Sequence, residues 1–427
     1  MMKKYLLLSI LCFSVISLNS QSWKTLPANG EAQERHENAF VQAGKRFILI
    51  GGRGNKPIDI YETENQKWKK GAQPPLEIHH TQAVSLDGLV YILGAFTGGW
   101  PDEDPIPNIY IYDPLENLWV KGPEIPEDRR RGAAGVAIKD KKIYLINGIT
   151  NGHTSGWVNW FDEYDVYKNK WKILPNSPNE RDHFQAVITG DILFVAGGRK
   201  SGSVEGNGFA GTVKATDIYD FNAGKWKTIS EIPTPRGGTA VGLLDNKPVI
   251  LGGESDAQEK AHNEAEIFNF ADGKWDSLPP LKQGRHGTQA ITINKQIIIG
   301  AGSGNRGGGP ELNSFEVFAK DNSLNFSTDA ILAGELKASQ DNLDFSKQEI
   351  KSLRISHKGG NQAIIITEIN ISDNFSIVNN KSLPFILAPR SEFELKIKGN
   401  QKPGELFIKR TGKKEGLKVT LNKKNEK

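Results

Sequence analysis

Ala39-Phe40-Val41, Phe47-Ile48-Leu49-Ile50-Gly51-Gly52, Tyr61-Glu62 and Trp68 punctuate one short stretch of the chain. Two apolar runs flank a polar turn, the second run ends in a glycine pair, and after a variable loop comes an aromatic strand and then tryptophan. That is the signature of four short strands joined by turns. The same order returns along the chain, because Trp23, Trp68, Trp119, Trp171, Trp226 and Trp275 are spaced by 45, 51, 52, 55 and 49 residues. Tyr61, Tyr112, Tyr164, Tyr219 and Phe268 each stand seven residues before the next tryptophan. A period of this length means a repeat architecture, and four strands per period make a propeller blade.

The glycine pair recurs as Gly197-Gly198 and Gly252-Gly253, and in altered form as Gly94-Ala95, Asn147-Gly148 and Gly300-Ala301. Tyr112-Asp113, Tyr164-Asp165 and Tyr219-Asp220 follow in three units, with Tyr61-Glu62 and Phe268-Asn269 as variants. On these residues the chain resembles the kelch-repeat family over residues 23 to 318. The last unit has strands near 287–294, 296–300 and 315–318 but no tryptophan after Phe318. Trp23-Lys24-Thr25-Leu26 supplies the missing outer strand, so six blades close by N-terminal strand addition and leave no open sheet edge.

Lys3-Lys4, an apolar run from Tyr5 to Leu18 and small polar residues before Gln21 read as a secretory signal peptide, too short to span a membrane. Cys12, the only cysteine, lies within it behind Leu11, which argues against lipidation and leaves the mature chain without disulfides or thiolate chemistry. The expected location is secreted, either periplasmic or at the cell surface. The formal charge of +4 comes from the ends: residues 319–427 hold 19 Lys/Arg against 13 Asp/Glu, and the leader adds two lysines, so the propeller is mildly acidic. Nucleic acid is therefore an unfavoured partner, and no transmembrane segment is expected.

Beyond the repeats, short apolar runs at 353–355, 363–369, 375–378, 385–387, 393–397, 405–408 and 417–421 read as seven strands of a small β-sandwich. The stretch Leu353 to Gly360 resembles Ig-like modules of the bacterial choice-of-anchor type, which implies a spacer or attachment unit. The expected fold is thus all-β: a signal peptide (1–20), a six-bladed kelch β-propeller closed by an N-terminal outer strand (21–320), a linker (321–340) and an Ig-like β-sandwich (341–427).

Strand alternation sends the second-to-third loops and the crossings between blades to one face. All the long loops lie there: 95–108, 149–160, 199–214, 254–262 and 303–313. Long loops on a rigid scaffold are where binding residues gather. Trp100, Trp157 and Trp160, the tryptophans outside the repeat series, fall in these loops. So do seven of eight histidines: His36, His79, His80, His153, His183, His262 and His286. Arg35, Arg130, Arg181, Arg236 and Arg285 precede the inner strands, with Ile78 in blade two. Five guanidinium forks at the channel mouth would suit an anion, although kelch repeats also use an arginine here to brace blades. Indoles suit stacking on a sugar ring, or packing of loops onto one another.

The expected ligand-binding set is therefore Arg35, Arg130, Arg181, Arg236, Arg285, His80, His183, His286, Trp100, Trp157 and Trp160. The expected function is binding or processing of a carbohydrate, preferably an acidic sugar. A protein-interaction scaffold using the same face is the competing class. The resemblance extends to secreted bacterial kelch proteins such as the sialic-acid mutarotases, which implies epimerase or lyase chemistry, with Glu205, Arg199 and His183 as candidate catalytic residues. It also extends to galactose-oxidase-like proteins, but copper radical oxidation needs a cysteine that the mature chain lacks. No cofactor and no metal are expected; Asp102, Glu103 and Asp104 read as a solvated triplet, and Arg306-Gly307-Gly308-Gly309 as a flexible loop without a following helix.

Overall fold

The computed structural model describes residues 22–319 and 323–422. The leader reading falls on residues 1–20, outside that range. Six four-stranded antiparallel sheets follow one another in chain order. The first comprises Asn38–Ala43, Arg46–Gly51, Asp59–Glu62 and Lys67–Lys70. In the sixth, the strands Ala290–Ile293, Gln296–Gly300 and Phe315–Ala319 are completed by Trp23–Thr25, with Trp23 opposite Phe318. The seven-residue spacing now has a physical meaning: each aromatic sits directly across the ladder from its tryptophan, as in Tyr61↔Trp68, Tyr112↔Trp119, Tyr164↔Trp171, Tyr219↔Trp226 and Phe268↔Trp275. Trp23 and Phe318 form the sixth such pair, their rings 5.3 Å apart. Each pair contributes roughly 0.5–1.5 kcal/mol beyond its burial.

The glycine pair has a steric cause. Gly51 has φ 71°, and a Cβ there would stand 2.2 Å from the carbonyl oxygen of Ile78; at Gly252 (φ 59°) it would stand 2.1 Å from that of Arg285. The second strand of each blade thus ends where the neighbouring blade's backbone crosses it.

Two devices close the axis. Glu37, His80, Ala133, His183, Gly238 and Gly287 occupy equivalent places where the chain enters each inner strand, and all have positive φ. Their backbones form a ring: the amides of His80, Ala133, His183, Gly238 and Gly287 donate to the carbonyls of Glu37, His80, Ala133, His183 and Gly238 in turn, and Asn38 N–H closes it onto Gly287. Below the ring, three glutamines from alternate blades stitch the inner strands together. Gln82 accepts from the amides of Val136 and Ala186, Gln289 accepts from those of Phe40 and Ala83, and Gln185 reaches Val241 N and Thr288 O. The remaining channel holds only about 30 Å³.

The C-terminal part forms a four-stranded sheet and a five-stranded sheet packed around Leu353, Ile355, Ile366, Leu395, Ile397, Leu406 and Ile408. All seven expected strands are present. Two more, Glu335–Ala338 and Asn342–Leu343, were not anticipated, and the first lies inside the stretch expected to be a linker. Nor is that stretch loose, since Phe326 is buried with blades one and six and Ile331 packs on blades one and two. The sandwich joins a core shared with blades two and three through Ala363, Ile365 and Ile386, and Gln362 donates to Asp113 at 2.8 Å. These contacts fall around the Leu86–Leu89 turn, on the face opposite the long loops. No helix among the described residues is long and apolar enough to cross a membrane.

Candidate functional site

Over the closed axis, the long loops enclose a cup of about 930 Å³. His36, Glu37, His80, His153, Arg199, Glu254 and His286 line its lower part, and Trp100, Val204, Glu205 and Phe209 its upper part. Its lower residues converge from all six blades.

The expected arginine ring is not part of this cup. Arg35, Arg181, Arg236 and Arg285 are fully buried in the blade walls, as is Arg131. Each donates to the carbonyl sixteen residues ahead: Gly51, Gly197, Gly252, Ala301 and Asn147 respectively. Each also pairs with a carboxylate two residues before the blade's aromatic: Asp59, Asp217, Glu266, Glu316 and Asp162. They are braces and cannot contact a ligand. Burial pushes the pKa values of Arg35, Arg181 and Arg285 below the usual guanidinium value and that of Arg131 to about 10, although the paired carboxylates oppose it. Blade two lacks the pair entirely, with buried Ile78 and Tyr110 in its place. Arg130 is displaced by one residue from the true repeat position; it is partly exposed and donates to Ile125 O at 3.1 Å.

Of the loop tryptophans, only Trp100 is available, 70% exposed above the cup. Trp157 donates its indole N–H to Ser201 O at 2.7 Å and packs with Phe96, Ala133 and Ile149. Trp160 lies under the Arg129 guanidinium, 4.3 Å from its ring centre. Both therefore pack loops. Glu205 is exposed on the upper wall.

His80, His153 and His183 lie close together at the cup floor, with partners the sequence did not reveal. His183 contacts Asp182 through Nδ1, and its Nε2 lies 3.0 Å from His153 Nε2. His153 Nδ1 is 2.9 Å from Glu103 Oε2, and Glu103 also binds Arg53. Glu103 is accordingly buried, not solvated, and its acidity is held at about 2: burial alone would raise it, but the His153 and Arg53 contacts outweigh that cost. His80 Nδ1 lies 2.6 Å from His79 Nδ1, and its Nε2 lies 3.3 Å from Glu37 Oε2. Burial, reinforced by the neighbouring imidazoles, drives the pKa of His80 well below the usual value and keeps it neutral. His286 Nε2 reaches the carbonyls of Asn305 and Gly307, and the Gly307 amide donates to Glu254 at 2.7 Å. The glycine-rich loop is thereby tied over the cup floor. Arg199 is buried against Ser201 and Glu254. Glu254 is held at about 2 because His286 and Arg199 overcome the burial penalty.

Glu37, Arg53, Glu103, Asp182 and Glu254 were missed. Glu37 was legible, since it occupies the repeat position of His80 and His183, and Asp182 stands directly beside His183; Arg53, Glu103 and Glu254 meet partners about 50 residues away across blades. The expectation of no metal-binding set also overlooked that ring nitrogens of His80, His153 and His183 lie within 4.8 Å of one another.

Residues 98–302, just under half of the chain, match the family described as the KLHDC2/KLHL20/DRC7 kelch-repeats domain. Kelch-like protein terF of Aspergillus terreus is 30% identical over 254 residues, which cover 55% of this chain and 54% of that protein. Alpha-scruin of Limulus polyphemus is 26% identical over 56% of this chain and 26% of its own length. The chain thus spans about half or less of these relatives. The solved structure of YjhT superposes with a TM-score of 0.60 at 16% identity, covering 69% of this chain and 98% of that one, which is a likeness of fold.

Proposed function

We propose that the cup binds a small polyhydroxylated ligand, a carbohydrate, in a protein that is secreted. The observation that carries this reading is the shape and lining of the cup: about 930 Å³, blind at its base, polar below, with an exposed indole above. Pockets of this size take small molecules, and a few placed polar groups fix their orientation. The acidic-sugar preference is withdrawn, because the arginines behind it lie in the walls. The two that do line the cup, Arg53 and Arg199, are each matched by a glutamate. A neutral sugar stacked on Trp100 with its hydroxyls on the floor needs no unmatched cation. Glu37, which lines the cup beside His80, could move protons on such a ligand, as an epimerase requires, whereas His183 is buried against His153 and does not line the cup.

The test is a glycan array probed with the full-length protein beside an acidic-peptide array. Binding to neutral glycans that falls at least ~10-fold in Trp100→Ala is expected, a loss in the range of one aromatic contact. Peptide binding without glycan binding by folded protein would replace this reading with the scaffold one.

A further inference from the structure

We infer that His80, His153 and His183 form a binding site for a divalent first-row transition metal ion of the zinc type at the floor of the cup. The three rings come from three blades and are nearly equidistant, with centroids 4.7, 4.8 and 4.9 Å apart. The Nδ1 atoms of His153 and His183 face the carboxylates of Glu103 and Asp182. A carboxylate accepts, so each Nδ1 carries the proton and each Nε2 presents a lone pair. Those two lone pairs point at each other across 3.0 Å. Without a cation between them the arrangement is repulsive; a tetrahedral ion with 2.0–2.1 Å bonds to nitrogen sets ligand atoms about 3.3 Å apart. Imidazoles oriented by carboxylates behind them are the usual supporting arrangement of such sites.

Charge points the same way. Around the trio lie four buried carboxylates, Glu37, Glu103, Asp182 and Glu254, against two guanidinium groups, Arg53 and Arg199. The surplus of two negative charges is what a dication neutralises. His80 joins them by giving up one of its two contacts, Nδ1 to His79 or Nε2 to Glu37, and three imidazoles leave a fourth position for water or a ligand oxygen. The inference does not depend on the ligand being a sugar.

The experiment uses the full-length protein, stripped with chelator and titrated with Co²⁺, read by its visible absorption, and with Zn²⁺ against a chromophoric chelator. About one equivalent is expected to bind. His153→Ala and His183→Ala should each weaken binding at least ~100-fold, and Glu103→Gln about 10–100-fold, as loss of a supporting carboxylate does. His262→Ala, whose ring contacts Ser255 and Glu264 outside the cup lining, should leave affinity unchanged. His153 sits on a loop, so its variant remains informative if His183→Ala fails to fold. Uptake below about a tenth of an equivalent, or uptake indifferent to His153→Ala, would overturn the site and leave a proton shared between the two Nε2 atoms. Glycan binding is read separately, so either idea can fail alone.

Discussion

Two ring positions, two residues apart in every blade, teach opposite lessons. At the first stand Arg35, Arg131, Arg181, Arg236 and Arg285, nearly uniform and fully buried in the walls. At the second stand Glu37, His80, Ala133, His183, Gly238 and Gly287, all in the same left-handed backbone conformation but chemically diverse. Whatever recurs around the ring serves the part that recurs, the blade. Asymmetric chemistry, which any one ligand requires, is found where the repeat is broken.

The comparison breaks if the first position proves dispensable. Arg181→Ala should cost about 3–5 kcal/mol, because it strands the buried Asp217 carboxylate, and chemical denaturation measures this directly. Affinity of the folded fraction for a cup ligand should not change. Glu254 tests the ionic part of the cup. Its folded acidity near 2, against an ordinary value near 4.5, stabilises the protein above pH 4.5, and that contribution disappears as pH falls from about 4.5 to about 2. The full contribution is about 3 kcal/mol. Glu254→Gln should lower stability at pH 7 and flatten the acid limb of a melting-temperature profile; an unchanged limb would show that Glu254 is not held in the ionised form.

Gln82→Ala should cost about 1–3 kcal/mol, since it leaves the amides of Val136 and Ala186 without their acceptor. The smallest effect belongs to Trp100→Ala, within about 0.5 kcal/mol by thermal unfolding, because its ring is largely solvated. A large loss there would mean that the indole is scaffold after all, and the distinction between recurring and singular tryptophans would collapse.

The blades were readable from sequence because strand period, turn chemistry and the Tyr–Trp spacing all report local geometry. The arginines were misread although their partners were equally periodic. Asp59, Asp162, Asp217, Glu266 and Glu316 each precede their aromatic by two residues, and the blade that lacks the arginine lacks the acid too. Arg131, not Arg130, holds the repeat position, because Val136, five residues on, pairs with Leu145 as Phe40, five residues after Arg35, pairs with Leu49. The cup was legible as a face but not as a set of contacts. His153 meets Glu103, and Arg199 meets Glu254, only because loops of separate blades lean over one axis, and no local pattern encodes that approach.

The glutamine stitches carry a consequence for how such a ring could have grown. Gln82, Gln185 and Gln289 alternate with Ala39, Gly135 and Ala240 at the same place, and each glutamine reaches both the next blade and the one beyond. A blade inserted or deleted singly would set two glutamines side by side or leave two small residues adjacent, with buried amides lacking acceptors either way. The ring therefore has parity: by duplication or loss it can change its size only in pairs.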